Sequence, residues 1–250
     1  VVECAFCALA RLRSGRAVHT RGTVLDGTLT VDPGSATGRA LGGPQRRAAV
    51  VRASKSAGLP GGLPDLLGIA LRIPTTDGVF DVLLASVGRR GLAHMVLRPS
   101  GTWWGRPFST VLPYLADGRR LVLGLQAGGG VGPPGADPAA VNAAVREGPV
   151  EFVLSEMPVR GSRRPIGRLV LERIRVTGPA VSFDPMRNAL PRLHPARPLR
   201  ALREWAYTGS RRGRGADPAS LYRQSDDTGP SGRQPKIGGL SARGLGSRRP

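Results

Sequence analysis

Two hundred and fifty residues suffice for one large β domain or two smaller ones, with a sizeable core. Glycine (36) and proline (23) are abundant and aromatics make up only 4%, a mixture that favours strands joined by many turns over a helical bundle. The net charge of +20 would draw any polyanion, but it is arginine-dominated and spread along the chain. There is no zinc-finger spacing, aromatic RNA-binding signature or basic heptad, so specific nucleic-acid recognition is not expected.

Cys4 and Cys7 form a C-x-x-C at the extreme N-terminus. A redox pair belongs after a strand at a helix start, and a zinc site needs two further ligands. Neither context is legible, so both cysteines read as reduced thiols of a cytoplasmic protein. The apolar patch around them is too short for a membrane span, and no small-residue cleavage site follows. The chain opens on valine, and residues 1–14 are read as a partial N-terminal segment.

From Gly15, Arg16-Ala17-Val18-His19-Thr20-Arg21-Gly22 leads into Val24, Gly27, Leu29 and Val31, which predicts a strand bent at Gly27. A loop rich in glycine and arginine, Asp32 to Arg47, ends at an apolar strand, Ala48 to Ser54, that carries Arg52. Leu59-Pro60-Gly61-Gly62-Leu63-Pro64 is turn chemistry. Strands over Gly68–Ile73 and Val79–Ala85 are separated by Thr76-Asp77-Gly78, a hairpin signal. His94–Leu97 is read as a further strand. An aromatic-bearing connection follows, with Trp103, Trp104, Phe108 and Tyr114, then a strand over Arg119–Gln126. Trp103 and Trp104 could wall a pocket or fill the core, and core is the preferred reading.

Gly128–Pro138 is a loop without the G-K-[ST] of a phosphate loop. Asp137 caps a small helix that runs from Pro138 to Glu147. Two long strands, Val150–Val159 and Ile166–Val176, bring the count to about eight, and an even antiparallel set suggests closure into a barrel with no exposed edges. The fold class is mainly β (α+β).

A proline-punctuated connector, Phe183 to Pro198, crosses the surface to a last helix with Arg203-Glu204-Trp205-Ala206-Tyr207, continuing through Ser210 and Arg212 to Arg214. On a helix Arg203, Tyr207 and Arg214 share one face. A tyrosine phenol titrates at about 10, and a guanidinium that never deprotonates favours its anionic form. The alternative is an ordinary surface helix. Residues 215–250 form a basic tail rich in glycine, serine and arginine, expected to be disordered.

Three earlier segments now join that helix. Arg16-x-Val18-His19-x-Arg21-Gly22 resembles the distal histidine motif of the catalase superfamily. Val51-Arg52-Ala53-Ser54 is similar to its V-R-F-S, and Gly68-Ile69-Ala70-Leu71-Arg72 through Gly78-x-x-Asp81 is similar to its G-F-A-x-K…G-x-x-D block. The resemblance covers residues 15–214. It implies an eight-stranded antiparallel β-barrel with haem b held between the barrel and a C-terminal helix. Tyr207 would be the iron ligand, kept ionised by Arg203, with Arg16, Arg52 and Arg214 facing the propionates. Val18 would line the haem, His19 would be the distal acid–base group, and Ser54 would bond to it. Family catalases carry an asparagine four residues after the block's aspartate, where this chain has Ala85. The long N-terminal arm and C-terminal domain of large catalases are also missing, so the chain is similar to a small, bacterial-type member.

One imidazole of near-neutral pKa can take a proton from a peroxide and return it to the departing oxygen. Of the three histidines, His94 and His194 take structural readings, which leaves His19. The resemblance implies a haem-dependent peroxidase or weak catalase acting on hydrogen peroxide or organic hydroperoxides with an unknown reductant. The alternatives are a non-catalytic haem-binding barrel, or a haem-free, phosphodiesterase-like relative acting on an anionic small molecule. Homo-oligomers remain open.

Overall fold

The computed structural model describes residues 22–89, 91–129, 132–158, 161–176 and 181–196, all within one compact unit. Strand β1 (Gly22–Val31) alternates buried and partly exposed residues over its length, the period of two that turns Leu25, Leu29 and Val31 into the core. The bend expected at Gly27 is a register shift between Asp26 and Gly27. A Cβ at Gly27 would lie 2.3 Å from the carbonyl oxygen of Val170 on the neighbouring strand. Gly27→Ala is therefore expected to force these strands apart and cost about 1–3 kcal/mol, read as a lowered thermal midpoint.

The segment expected as a loop from Asp32 to Arg47 contains a short helix, α1 (Ala36–Leu41), whose N-cap Ser35 accepts from the amide of Gly38 at 2.9 Å. Its Ala-Thr-Gly-Arg-Ala-Leu run is too short and glycine-broken to read as helix. Gly38 is needed there, because a Cβ would lie 2.0 Å from the Asp32 carbonyl oxygen. Next come β2 (Arg46–Lys55), β3 (Leu67–Thr75) and β4 (Gly78–Ser86), each antiparallel to the last. Gly78, with φ +126°, closes the predicted hairpin between β3 and β4.

His94–Leu97 is not a strand; residues Gly91–Met95 form a 3₁₀ turn. The amide of Gly88 bonds the carbonyl of Ala93 at 2.9 Å, so the chain doubles back too tightly for extended pairing. The place in the ring goes instead to β5 (Phe108–Ser109), inside the aromatic connection. It is followed by β6 (Tyr114–Ala116), β7 (Arg119–Ala127), α2 (Pro138–Glu147), β8 (Val150–Pro158), β9 (Arg164–Ile174) and β10 (Leu193–Pro195). Helix α2 starts as predicted, with Asp137 accepting from the Ala139 amide at 2.9 Å and proline in the first turn.

Strands β1, β2, β3, β4, β5, β7, β8 and β9 close an eight-stranded antiparallel barrel, the architecture the sequence predicts. β6 pairs with the start of β7, and β10 pairs with β6. Trp103 is fully buried, stacked 6.2 Å from Phe108, with its indole N–H on the Asp137 carbonyl at 3.0 Å. It is core, as expected. Trp104 packs on Phe152 at 6.0 Å.

The Phe183–Pro198 connector does not simply cross the surface. Leu190, Leu193 and Ala196 are buried and β10 adds to the sheet. The helix expected to carry Tyr207 lies outside the described residues. Among the described residues no helix is long and apolar enough to cross a membrane.

Candidate functional site

Arg52 and Ser54 are two residues apart on β2, so both face outward from the barrel, while Val51 and Ala53 face its core. Register extends that face across four strands in three rows. The first row is Gly22, Ser54, Gly68 and Ala85; the second is Val24, Arg52, Ala70 and Leu83; the third is Asp26, Val50, Arg72 and Asp81. Segments far apart in the sequence thus meet on one surface. Ser54 and the Ala85 position flank Gly68, two strands or about 10 Å apart.

The first two motifs touch directly. A Cβ on Gly22 would lie 3.1 Å from Arg52 Nε and 3.2 Å from Ser54 Cβ. The glycine that ends the histidine motif therefore makes room for the arginine of the next. Arg52 is half-buried, and burial lowers its guanidinium pKa from the ordinary value. A carboxylate or phosphate brought to this partly desolvated cation would gain a strong charge-assisted hydrogen bond. Val24, Ala70 and Leu83 place apolar surface beside it in the same row. Among the described residues the Ser54 hydroxyl, almost fully buried, makes no hydrogen bond. An apolar floor with one embedded cation and one hydroxyl fits a flat, carboxylate-bearing ring such as haem.

Ala85 departs from that fit. It is 1% exposed and packs in a small apolar cluster with Val87 and Val111, against Leu97 and Leu112. This part of the row offers no hydrogen-bond donor from a side chain. Arg16, Val18, His19, Arg203, Tyr207 and Arg214 lie outside the described residues. Of the expected site residues, the structure therefore brings together Arg52 and Ser54, with Ala85 nearby.

The third row is tied by ions. Asp81, fully buried, accepts from Arg72 Nε at 2.8 Å and Nη2 at 2.7 Å, from the Asp184 amide at 2.8 Å and from Asn188 Nδ2 at 2.7 Å. Arg72 also donates to the Ser182 carbonyl at 2.7 Å and lies 5.5 Å from the Phe183 ring centroid. Asp81, singled out in the sequence as part of a family block, thus anchors the 182–188 segment over the site's edge.

At the other end of the row, Asp26 bonds Arg173 and Arg175. Burial raises its carboxyl pKa, but the bonds from Arg175 and Arg173 outweigh it and the net pKa is lowered. Its contribution to stability is complete above the unfolded carboxyl value of about 4 and is lost as pH falls through the lower folded value. Asp26→Asn is expected to flatten the acid side of a stability–pH curve by about 0.5–1 kcal/mol, measured by urea titration at stepped pH.

Sequence reading missed Lys55. The inward alternation Ala49, Val51, Ala53 continues to position 55, which put a lysine where the period of two demands burial. Its ammonium is fully buried and donates to the carbonyls of Leu59, Gly61 and Leu63 at 2.6, 3.0 and 3.2 Å.

No protein-family model matches the sequence, and no curated protein matches it. Solved structures do. A fungal catalase is similar at a TM-score of 0.55 and 12% identity, over 84% of this chain and 61% of its own. Catalase A from Saccharomyces cerevisiae is similar at 0.53 and 14%, over 80% and 61%. A bacterial catalase is similar at 0.51 and 16%, over 95% and 65%. The chain thus has a catalase-like fold, and it spans less than two thirds of the length of each of these three proteins.

Proposed function

We propose that this catalase-like barrel binds haem b on the outer face of β1–β4 and acts as a haem-dependent peroxidase or weak catalase. Residues 15–214 would form the haem domain. Tyr207 would ligate the iron as phenolate, held ionised by Arg203. Arg52, Arg16 and Arg214 would hold the propionates by charge-assisted bonds, and Val18 would pack against the ring. When bound, haem supplies the redox chemistry that divides a peroxide oxygen–oxygen bond. His19 takes the peroxide proton and returns it to the departing oxygen, and the Ser54 hydroxyl orients its imidazole.

The observation that carries this reading is Arg52 and Ser54 side by side in an apolar outer face of a catalase-like barrel. Without an amide at position 85, hydrogen peroxide is positioned poorly, and an organic hydroperoxide with a reducing co-substrate suits the site better. The apolar cluster around Ala85 favours a second reading, a haem-binding barrel without turnover. The protein is read as cytoplasmic under both.

Adding haem to the purified chain and recording its absorption tests the first step. A Soret band that is lost in Tyr207→Phe supports haem ligation, and no band in the unaltered chain leaves the haem-free alternative. Peroxide-dependent dye oxidation separates the other two. Activity reduced about 10²–10⁴-fold in His19→Ala, with the Soret band kept, supports the peroxidase. No activity in the haem-loaded wild type supports the carrier.

A further inference from the structure

We propose that the Leu59–Pro64 loop docks into the interface of an anionic lipid surface. Its six residues, Leu59-Pro60-Gly61-Gly62-Leu63-Pro64, carry no polar side chain, and every one is exposed. Leu59 and Leu63 stand 43% and 53% in solvent. Exposed leucines alone are ordinary on a soluble surface. These differ in the backbone beneath them.

The carbonyls of Leu59, Gly61 and Leu63 turn inward to the buried ammonium of Lys55. The Gly62 carbonyl accepts from the Ala136 amide at 3.4 Å. Four of the six carbonyls are therefore satisfied inside the protein. The Leu59 amide donates to Asp65 Oδ2 at 3.0 Å, and Ala57 just before it donates to Oδ1 at 2.9 Å. Pro60 and Pro64 have no amide proton to satisfy. A loop that leaves water must pair its polar backbone groups internally. Here a buried cation pairs three of the loop's carbonyls and a buried carboxylate pairs one of its amides, and only apolar side chains face outward.

The surroundings supply the matching charge. Ser100 and Asp65 exchange both backbone bonds, at 3.1 and 2.9 Å, which fixes the 98–106 segment to the foot of the loop. That segment carries Arg98 and Arg106, the latter donating to the Pro99 carbonyl at 2.8 Å. Arg89 joins it through the Gly105 carbonyl. Among the described residues none of these three arginines pairs with a carboxylate. An apolar tip whose foot is tied to a segment of arginines without a carboxylate partner among the described residues complements acyl chains beneath anionic headgroups. A protein partner would call for an aromatic anchor in a shaped pocket, and the tip has none. The inference does not depend on haem binding.

The test is co-sedimentation of the full chain with phosphatidylcholine vesicles, with and without phosphatidylserine, at low and high salt. Wild type is expected to bind the phosphatidylserine vesicles and to retain part of that binding when salt screens the charge. Leu59→Ser with Leu63→Ser should weaken the salt-resistant part by about tenfold per leucine at an unchanged thermal midpoint. Arg98→Gln with Arg106→Gln should weaken the low-salt binding. Serine variants that bind as wild type does would overturn the proposal, since the general positive charge would then be sufficient. So would a wild type that binds neither vesicle, including the case in which the leucines are captured by a protein instead.

Discussion

Replacing Asp81 with alanine is expected to lower stability by about 3–5 kcal/mol. The carboxylate is fully buried and accepts four bonds, two of them a bidentate pair from Arg72. Arg72 and Asp81 are also direct cross-strand partners, so their opposite charges meet where sheet pairing is tightest. The hydrogen bonds that Arg72 donates to Asp81 are the main reason its guanidinium pKa is raised, against a smaller lowering by burial. Alanine would strand a half-buried cation, the Asp184 amide and the Asn188 amide together, and each unpaired group carries its own desolvation cost. The 182–188 segment should loosen as well, giving faster amide exchange at Asp184 and Asn188. Asp81→Asn keeps the shape but sets an NH₂ against a guanidinium, so it should recover little. A urea midpoint unchanged in Asp81→Ala would mean that the pair adds no net stability.

Lys55→Met should cost about 2–4 kcal/mol by leaving three carbonyls without their donor. Methionine fills nearly the same volume, so the loss reads the hydrogen bonds more than a cavity. The figure stays below three full desolvation penalties because the loop is exposed and water can reach part of it. The effect should be local as well as global, with limited proteolysis cutting between Ala57 and Leu63 at a rate the wild type does not show. The same variant should bind lipid less well, because its tip would then carry unpaired carbonyls into the interface. If the loop stayed resistant to cleavage, the Asp65 carboxylate and not the ammonium would be what holds it.

Much of the barrel was legible because it rests on local pattern. Ala48–Ser54 and Arg119–Gln126 lie inside the strands observed, and the helix from Pro138 with its Asp137 cap starts where it was read, since alternation, glycine turns and caps act over a few residues. The short elements were not legible. β5 has two residues, too few for any period, and α1 depends on a glycine at position 38, where the preceding Asp32-Pro33 backbone leaves no room for a Cβ. His94–Leu97 has the composition of a strand, but the doubled-back chain at Gly88 turns it aside.

For the site, the motifs around Gly22, Arg52, Gly68 and Asp81 could be read one by one, with their order along the chain. Their sharing one face was decided by strand register, which sets Ser54 and Ala85 on either side of Gly68. The roles of Lys55 and Asp81 came from folding alone. Each is a buried charge: Lys55 bonds carbonyls four to eight residues on, brought round it by the turn, while Asp81 reaches across 107 residues to Asn188, a partner chosen by three-dimensional proximity that no local pattern encodes.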